Sequence, residues 1–292
     1  MNEPALEFTG ERFTPECVRE IRYEHWHRYA FARMFARGRR VLDAACGEGY
    51  GSALVADVAE SVLGLDIDAD AIAHARRRYG KQPNLRFDCA DIAALDLAPG
   101  SVNLVVSFET LEHVDAQDAL LASLARALAD DGILLISSPD KAVYSDAAGF
   151  RNEFHVRELY RPELEALLAR YFPHVRLYGQ KLLFQSVLWP ADGAAGGRAQ
   201  SITADADANF ADGLAYAPVY FIAVCSRQPL PDDLPALSLF GDREESVYAH
   251  YNHEIRKNMT AGARIAELEA QLTAVSAERD VLASRFASAS QP

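Results

Sequence analysis

Apolar and polar positions along this chain switch repeatedly between two periods. After a polar opening with Pro4 and Pro15, residues 21–37 (IRYEHWHRYAFARMFAR) set Tyr23, Trp26, Ala30 and Met34 at three- and four-residue spacing, and Phe31 and Phe35 broaden the stripe. That spacing predicts an amphipathic helix, which Gly38 stops. Short apolar runs then alternate with helical segments. Strands are predicted over 39–45, 61–67, 84–90, 101–108 and 133–138. Helices are predicted over 49–59, 69–79 and 115–130, the last with Leu120, Leu121, Leu124 and Leu128 on one face. A helix over 161–171 opens with proline in its first turn, and strands over 174–180 and 217–226 follow. Strands alternating with helices across short connections predict an α/β domain: a seven-stranded, mostly parallel sheet with helices on both faces.

The same pass divides the chain. Residues 1–37 form an arm and helix, and 38–227 the α/β domain. Residues 191–213 are small, polar and glycine-rich, and read as a mobile insertion over the C-terminal edge of the sheet. A proline-rich linker over 228–250 leads away to a helical tail over 251–290. In the tail Ile265, Leu268, Leu272, Val275, Leu282 and Phe286 keep an apolar 3-4 spacing, broken at Arg279. That is about three heptads, which fits a short coiled coil or a single amphipathic helix packed on its own domain.

Composition narrows the functional classes. Half the residues are apolar and 24% are charged, as in an ordinary globular protein. No apolar run is long enough to predict a membrane span, and the acidic opening MNEPALEFTGER has no apolar core of a secretory signal, so the expected location is the cytoplasm. A net charge of −13 disfavours a nucleic-acid partner, which needs a basic face. Cys17, Cys46, Cys89 and Cys225 are scattered, so neither a zinc ribbon nor a disulfide framework is expected.

The first strand runs into VLDAACGEGYGS (41–52), with Gly47, Gly49 and Gly51 where strand turns to helix. Glycines there allow a close approach to a ligand. Asp43 on the strand end would repel a pyrophosphate but suits a cationic amino-acid headgroup. Asp66 ends the second strand, where an acid can accept hydrogen bonds from both hydroxyls of a ribose. Asp91 follows the third. The pattern DxAxGxG, with acids at the ends of three successive strands, resembles class I methyltransferases over roughly residues 21–226. The resemblance implies a Rossmann-like fold and S-adenosylmethionine as methyl donor. It also implies Asp91 on the adenine amino group, Ile67 and Ile92 on either side of the adenine, and Ala45 and Phe108 lining the cofactor.

The fourth strand ends in SFETLEHVD (107–115), which puts Glu109, Glu112 and His113 at i, i+3 and i+4, on one face if a helical turn begins there. His155 follows the fifth strand, the neighbour of the fourth. Two carboxylates and two histidines around an open position suit a divalent ion, Mg²⁺ or Mn²⁺. Without metal, His113 or His155 is the general base. ExxEH with a distant histidine resembles the metal motif of small-RNA 2′-O-methyltransferases and ubiquinone-pathway O-methyltransferases. The arm adds FTGERFTPE (8–16) and YEHWHRYAFA (23–32). These resemble bacterial methyltransferases that accompany glycosyltransferases in surface-polysaccharide and lipopolysaccharide synthesis. That resemblance implies a sugar or glycan acceptor, and a lid of Arg12, Tyr23, His27, Arg28 and Tyr29 in which Arg28 pairs with the methionine carboxylate. The tail is expected to engage a glycosyltransferase or another copy. The alternatives are a metal-independent methyltransferase of a quinone, lipid or other small molecule, and a scaffold or chain-length regulator with a cofactor-binding domain.

Overall fold

The computed structural model describes residues 20–191 and 199–289. The motif at 8–16, with Arg12, and Cys17 lie outside the described residues. The chain divides into two units, Met1–Phe240 and Gly241–Pro292.

In the first unit, helix α1 (Glu20–Ala36) precedes β1 (Arg40–Ala44), α2 (Tyr50–Ala56), β2 (Ser61–Asp66), α3 (Ala69–Tyr79), β3 (Leu85–Cys89) and β4 (Val102–Ser107). Then come α4 (Gln117–Ala127), β5 (Leu128–Pro139), α5 (Arg161–Ala169), β6 (His174–Gln180), a hairpin of β7 (Ile202–Ala204) and β8 (Phe210–Asp212), and β9 (Tyr220–Ser226). One seven-stranded sheet has the order β3-β2-β1-β4-β5-β9-β6. All neighbours are parallel except β9, which runs antiparallel to both β5 and β6. The chain reverses its winding between β1 and β4, and the crevice beyond the C-terminal ends of those strands is where such sheets bind ligands.

The sequence dictates these elements locally. Alternate residues of β4 and β5 feed two apolar layers, one beneath α1, α2 and α3, the other beneath α4 and α5. Asp68 caps α3 by accepting from the N–H groups of Asp70 and Ala71, and Arg76, Arg77 and Arg78 complement its C-terminal end. The Tyr160 N–H donates to Glu163 at 2.9 Å and closes the start of α5.

Four expectations need correction. The buried face of α1 carries Arg28, Tyr29, Phe31, Ala32, Phe35 and Ala36, whereas Ala30 and Met34 are exposed. Two polar residues displace part of the apolar stripe because that face closes over the site. The helix over 115–130 ends at Ala127, because Leu128 leaves it to pair with Val102 across a register shift in β5. Part of the insertion is ordered, since Thr203 donates to the Gly213 carbonyl and steadies the β7–β8 hairpin; residues 192–198 lie outside the described set. The segment after Gln228 does not lead away at once. Leu230 and Leu234 pack on the core, and Tyr178 donates to the Pro235 carbonyl at 2.9 Å.

The second unit contains α6 (Ser246–Ala289), which begins before the expected residue 251 because Asp242 accepts from the Ser246 N–H and caps the first turn. Among the described residues no helix is long and apolar enough to cross a membrane.

Candidate active site

The glycine turn after β1 is built around two carboxylates. Asp66 accepts from the Gly47 N–H at 2.8 Å and the Asp68 N–H at 2.9 Å, so it ties the turn to the end of β2. Glu48, fully buried, accepts from the Tyr50 N–H, Arg78, Tyr79 and His74, and so fastens the turn to α3. Gly49 sits at φ 92, and a Cβ there would lie 2.7 Å from Ala75 and 2.9 Å from Phe87. At Gly51 a Cβ would fall 2.0 Å from the Tyr29 ring. These two glycines thus serve internal packing, of α3 and α1 against the turn, more than approach to a ligand. Ala45 shares the left-handed conformation, at φ 63.

Asp43 is buried at the end of β1. Ser52 donates to it at 2.6 Å and Tyr29 at 3.1 Å. Burial raises its carboxyl to about 6; the two hydrogen bonds oppose that rise and Asp66 adds to it. Phe108 is also buried, edge-on to Tyr29, so it backs this pair. Asp91 is exposed and accepts from the Ala93 N–H at 2.9 Å. Ile67 is exposed beside it in the fold, at the end of β2, whereas Ile92 is buried with Leu95 in the layer beneath α4.

Arg28 crosses from α1 towards the ends of β4 and β9. It is 2% exposed, its Nε donates to Gln180 at 2.8 Å, and its guanidinium lies 4.6 Å from the Tyr220 ring centre. Gln180 in turn donates to the Glu24 carbonyl. Nη2 stands 3.5 Å from Glu109 Oε1, and neither Nη1 nor Nη2 makes a hydrogen bond among the described residues. The buried guanidinium is therefore faced by the Glu109 carboxylate and has two nitrogens that could still donate to a further acceptor. Arg28, Gln180, Tyr23, His27, Tyr216 and Phe240 also line a groove of about 740 Å³.

The acceptor end is assembled across a long sequence gap. After β4 a 3₁₀ turn, Leu111–His113, carries Glu112 and His113. The Glu112 carbonyl accepts from the N–H groups of Val156 and Arg157, and Gln117 bonds the Leu111 and Arg157 carbonyls, which zips the loop bearing His155 onto this turn. Glu112, His113 and His155 then offer ligand atoms within 4.8 Å of one another. His113 Nδ1 donates to the Phe154 carbonyl at 3.0 Å, and its Nε2 lies 4.0 Å from Glu112. His155 Nδ1 lies 2.6 Å from Glu158, which also accepts from Ser145. The His155 ring stacks on Tyr144 and meets His113 edge-on.

Glu109 does not join this cluster, contrary to expectation. It takes a left-handed backbone at φ 49, and exchanges hydrogen bonds with Ser137 at 2.8 and 2.6 Å. The turn at 111–113 is 3₁₀ and begins after Glu109, so the i, i+3, i+4 face never forms, and Glu109 looks to Arg28 instead. Ser52, Glu48, Ser137, Glu158, Gln180 and Tyr220 were not anticipated. Only Glu158 left a trace, as an acid three residues beyond a histidine.

The family described as "Methyltransferase domain" matches residues 42–136, from β1 to β5. Two curated relatives are named as probable S-adenosylmethionine-dependent methyltransferases. That of Mycolicibacterium smegmatis is 40% identical over 167 residues, covering 56% of this chain and 64% of its own. That of Mycobacterium tuberculosis is 39% identical over 166 residues, covering 56% and 60%. The chain thus spans less than two thirds of the length of these relatives. A ubiquinone biosynthesis O-methyltransferase of Xanthomonas oryzae is 33% identical over 113 residues, 38% of this chain and 47% of its own. A chain from the complex of the Haloferax volcanii Trm112 methyltransferase activator with a methyltransferase shares the fold at 18% identity, covering 70% of this chain and 90% of its own, with a TM-score of 0.52. Strand order, glycine turn and these matches together make the segment from β1 to β5 similar to methyltransferase domains.

Proposed function

We propose that the protein is an S-adenosylmethionine-dependent O-methyltransferase that acts on one hydroxyl of a vicinal diol in a sugar or glycan, with a divalent cation at Glu112, His113 and His155. The observation that carries this reading is the histidine pair. Each Nδ1 is held by an acceptor, and the two rings bring ligand atoms within 4.8 Å of one another and of Glu112. Metal-binding histidines are commonly fixed in this way by a carboxylate or a carbonyl. Adjacent ligands on a small cation stand roughly 3 Å apart, so the triad would draw in slightly on binding. A divalent cation there would lower the pKa of a chelated hydroxyl.

Arg28 would hold the donor's carboxylate, Asp43 its cationic end, Asp66 the ribose and Asp91 the adenine. Their order across β4, β1, β2 and β3 would lay the donor along the C-terminal edge, with its methyl towards the β4 end. Glu112 and the histidines approach that methyl from the β5 side. Orientation of the oxygen against a fixed electrophile supplies much of such a rate. The groove beside Arg28 is in the size range of small-molecule sites. The sugar acceptor rests on the arm motif and on the chelation chemistry; the name of the Xanthomonas relative supports an oxygen acceptor.

A second reading keeps the oxygen acceptor without metal, favoured by the His155–Glu158 pair, which has the form of an oriented general base. Labelled methyl transfer to a panel of deoxy-sugars and glycans, with Mg²⁺, Mn²⁺ or EDTA, separates the two. Loss of transfer in EDTA, and in Glu112→Ala with donor binding intact, is expected. Transfer that survives EDTA leaves the histidine base, and donor binding with no sugar methylated removes the sugar assignment.

A further inference from the structure

We propose that α6 pairs with α6 of a second copy of this chain as a parallel, in-register, two-stranded coiled coil over residues 258–286. In this stretch Asn258, Ala261, Ile265, Leu268, Leu272, Val275, Arg279, Leu282 and Phe286 fall in turn on the a and d positions of an unbroken heptad. The seam is exposed: 56% at Ile265, 46% at Leu268, 68% at Leu272, 61% at Val275 and 62% at Leu282. Met259 and Val281 are the large apolar residues off it. A contiguous apolar seam of this length on a solvated helix marks an interaction surface, and a strict a/d stripe is the narrow seam of a coiled coil.

The flanking charges select the partner and its direction. In a parallel pair, Arg264 at g faces Glu269 at e of the other helix, a matched pair. Arg279, the one charge in the seam, would meet its counterpart at one a layer, with Glu278 at g of each helix beside the pair. Arg264 and Arg279 now bond Glu267 and Asp280 of their own helix, exposed contacts that are readily exchanged. Two Asn258 side chains would meet at one a layer, a device that fixes register. Ile265 at a and Leu268 at d favour two strands, Leu272 and Val275 in the next heptad have the reverse pattern, and the polar a residues Asn258 and Arg279 decide for two. The antiparallel arrangement that sets Ile265 against Leu282 brings Arg264 against Arg285, and the one that sets Ile265 against Val275 matches Arg264 with Glu278 but brings Glu269 against Glu269. A second copy therefore satisfies the seam and its charges together, independently of the methyltransferase reading.

Sedimentation equilibrium of the full chain tests this. The expected mass is twice the 32.1 kDa of one chain. Leu268→Glu with Leu272→Glu should give monomer while donor binding by the first unit persists. Oxidised Val275→Cys should form a covalent dimer that the unsubstituted chain, treated alike, does not. Monomer at every concentration overturns the proposal, as does a dimer indifferent to the double substitution. A dimer abolished by that substitution but never linked through residue 275 overturns the parallel register.

Discussion

The donor and acceptor halves of the proposed site are held in place differently. The donor half is local. Asp43, the glycine turn and Asp66 lie within one β-α-β unit, and their polar groups are already bound to each other and to backbone. The acceptor half is a long-range construction, in which a loop some forty residues away is hydrogen-bonded onto a 3₁₀ turn. The donor half spends its buried polar groups on shaping the turn. The acceptor half spends them on holding both Nδ1 atoms, which orients the two rings. The one donor residue that breaks this pattern is Arg28, which comes from outside the unit and keeps two nitrogens unmatched.

That contrast can be broken in three ways. The largest effect is expected from Arg28→Ala. Hydrogen bonds to a charged group contribute about 1.5–3 kcal/mol, so donor affinity should fall by roughly ten- to a hundredfold. Calorimetric titration with S-adenosylmethionine measures it, and unchanged affinity would show that Arg28 serves only to brace α1 on Gln180. Next, Glu158→Gln keeps the shape beside His155 but removes the carboxylate. Losses of about 10–100-fold in metal affinity or activity are typical of such supporting groups. Donor binding should not move, and a loss there would deny that the two halves are separately built.

The smallest effect concerns pH. The Asp43 carboxyl sits near 6 in the fold, above its unfolded value of about 4. Between those values the unfolded chain binds fewer protons, so this group's contribution to stability falls as pH rises from about 4 to 6 and is level above. A cationic ligand favours the carboxylate. Donor affinity should therefore be flat above pH 6 and weaken below it, by at most about tenfold per pH unit. Asp43→Asn should abolish the slope, and a slope that persists in that variant assigns it elsewhere.

The same division decides what the sequence could reveal. The sheet was legible because Val, Ile and Leu runs in β4 and β5 and the 3.6-residue period of α3 and α4 report burial directly. The acids at three strand ends were legible as an ordered set. The end of α4 was not, because Leu128 continues the apolar stripe of Leu120, Leu121 and Leu124, and only pairing with Val102 draws it into a strand. Glu109 was misplaced because spacing alone cannot distinguish an α turn from a 3₁₀ turn that starts after a left-handed residue. The proline-rich 228–240 segment looked like a linker because its anchors, Leu230, Leu234 and the Pro235 carbonyl, are single contacts without a period. Glu48, the most completely buried acid of the turn, was hidden by its place among glycines.

The unmatched nitrogens of Arg28 also bear on turnover. Donor and spent donor carry the same carboxylate, so a guanidinium gripping that group holds both alike. What differs between them is the positive charge at sulfur, lost as the methyl leaves. Discrimination then falls to Asp43, whose buried carboxylate loses the charge that favoured it and readily takes up a proton. An enzyme holding its donor in this proposed way would be subject to inhibition by its own by-product, relieved towards higher pH only as far as that carboxylate stays ionised, and its rate in the cell would depend on how quickly the by-product is cleared.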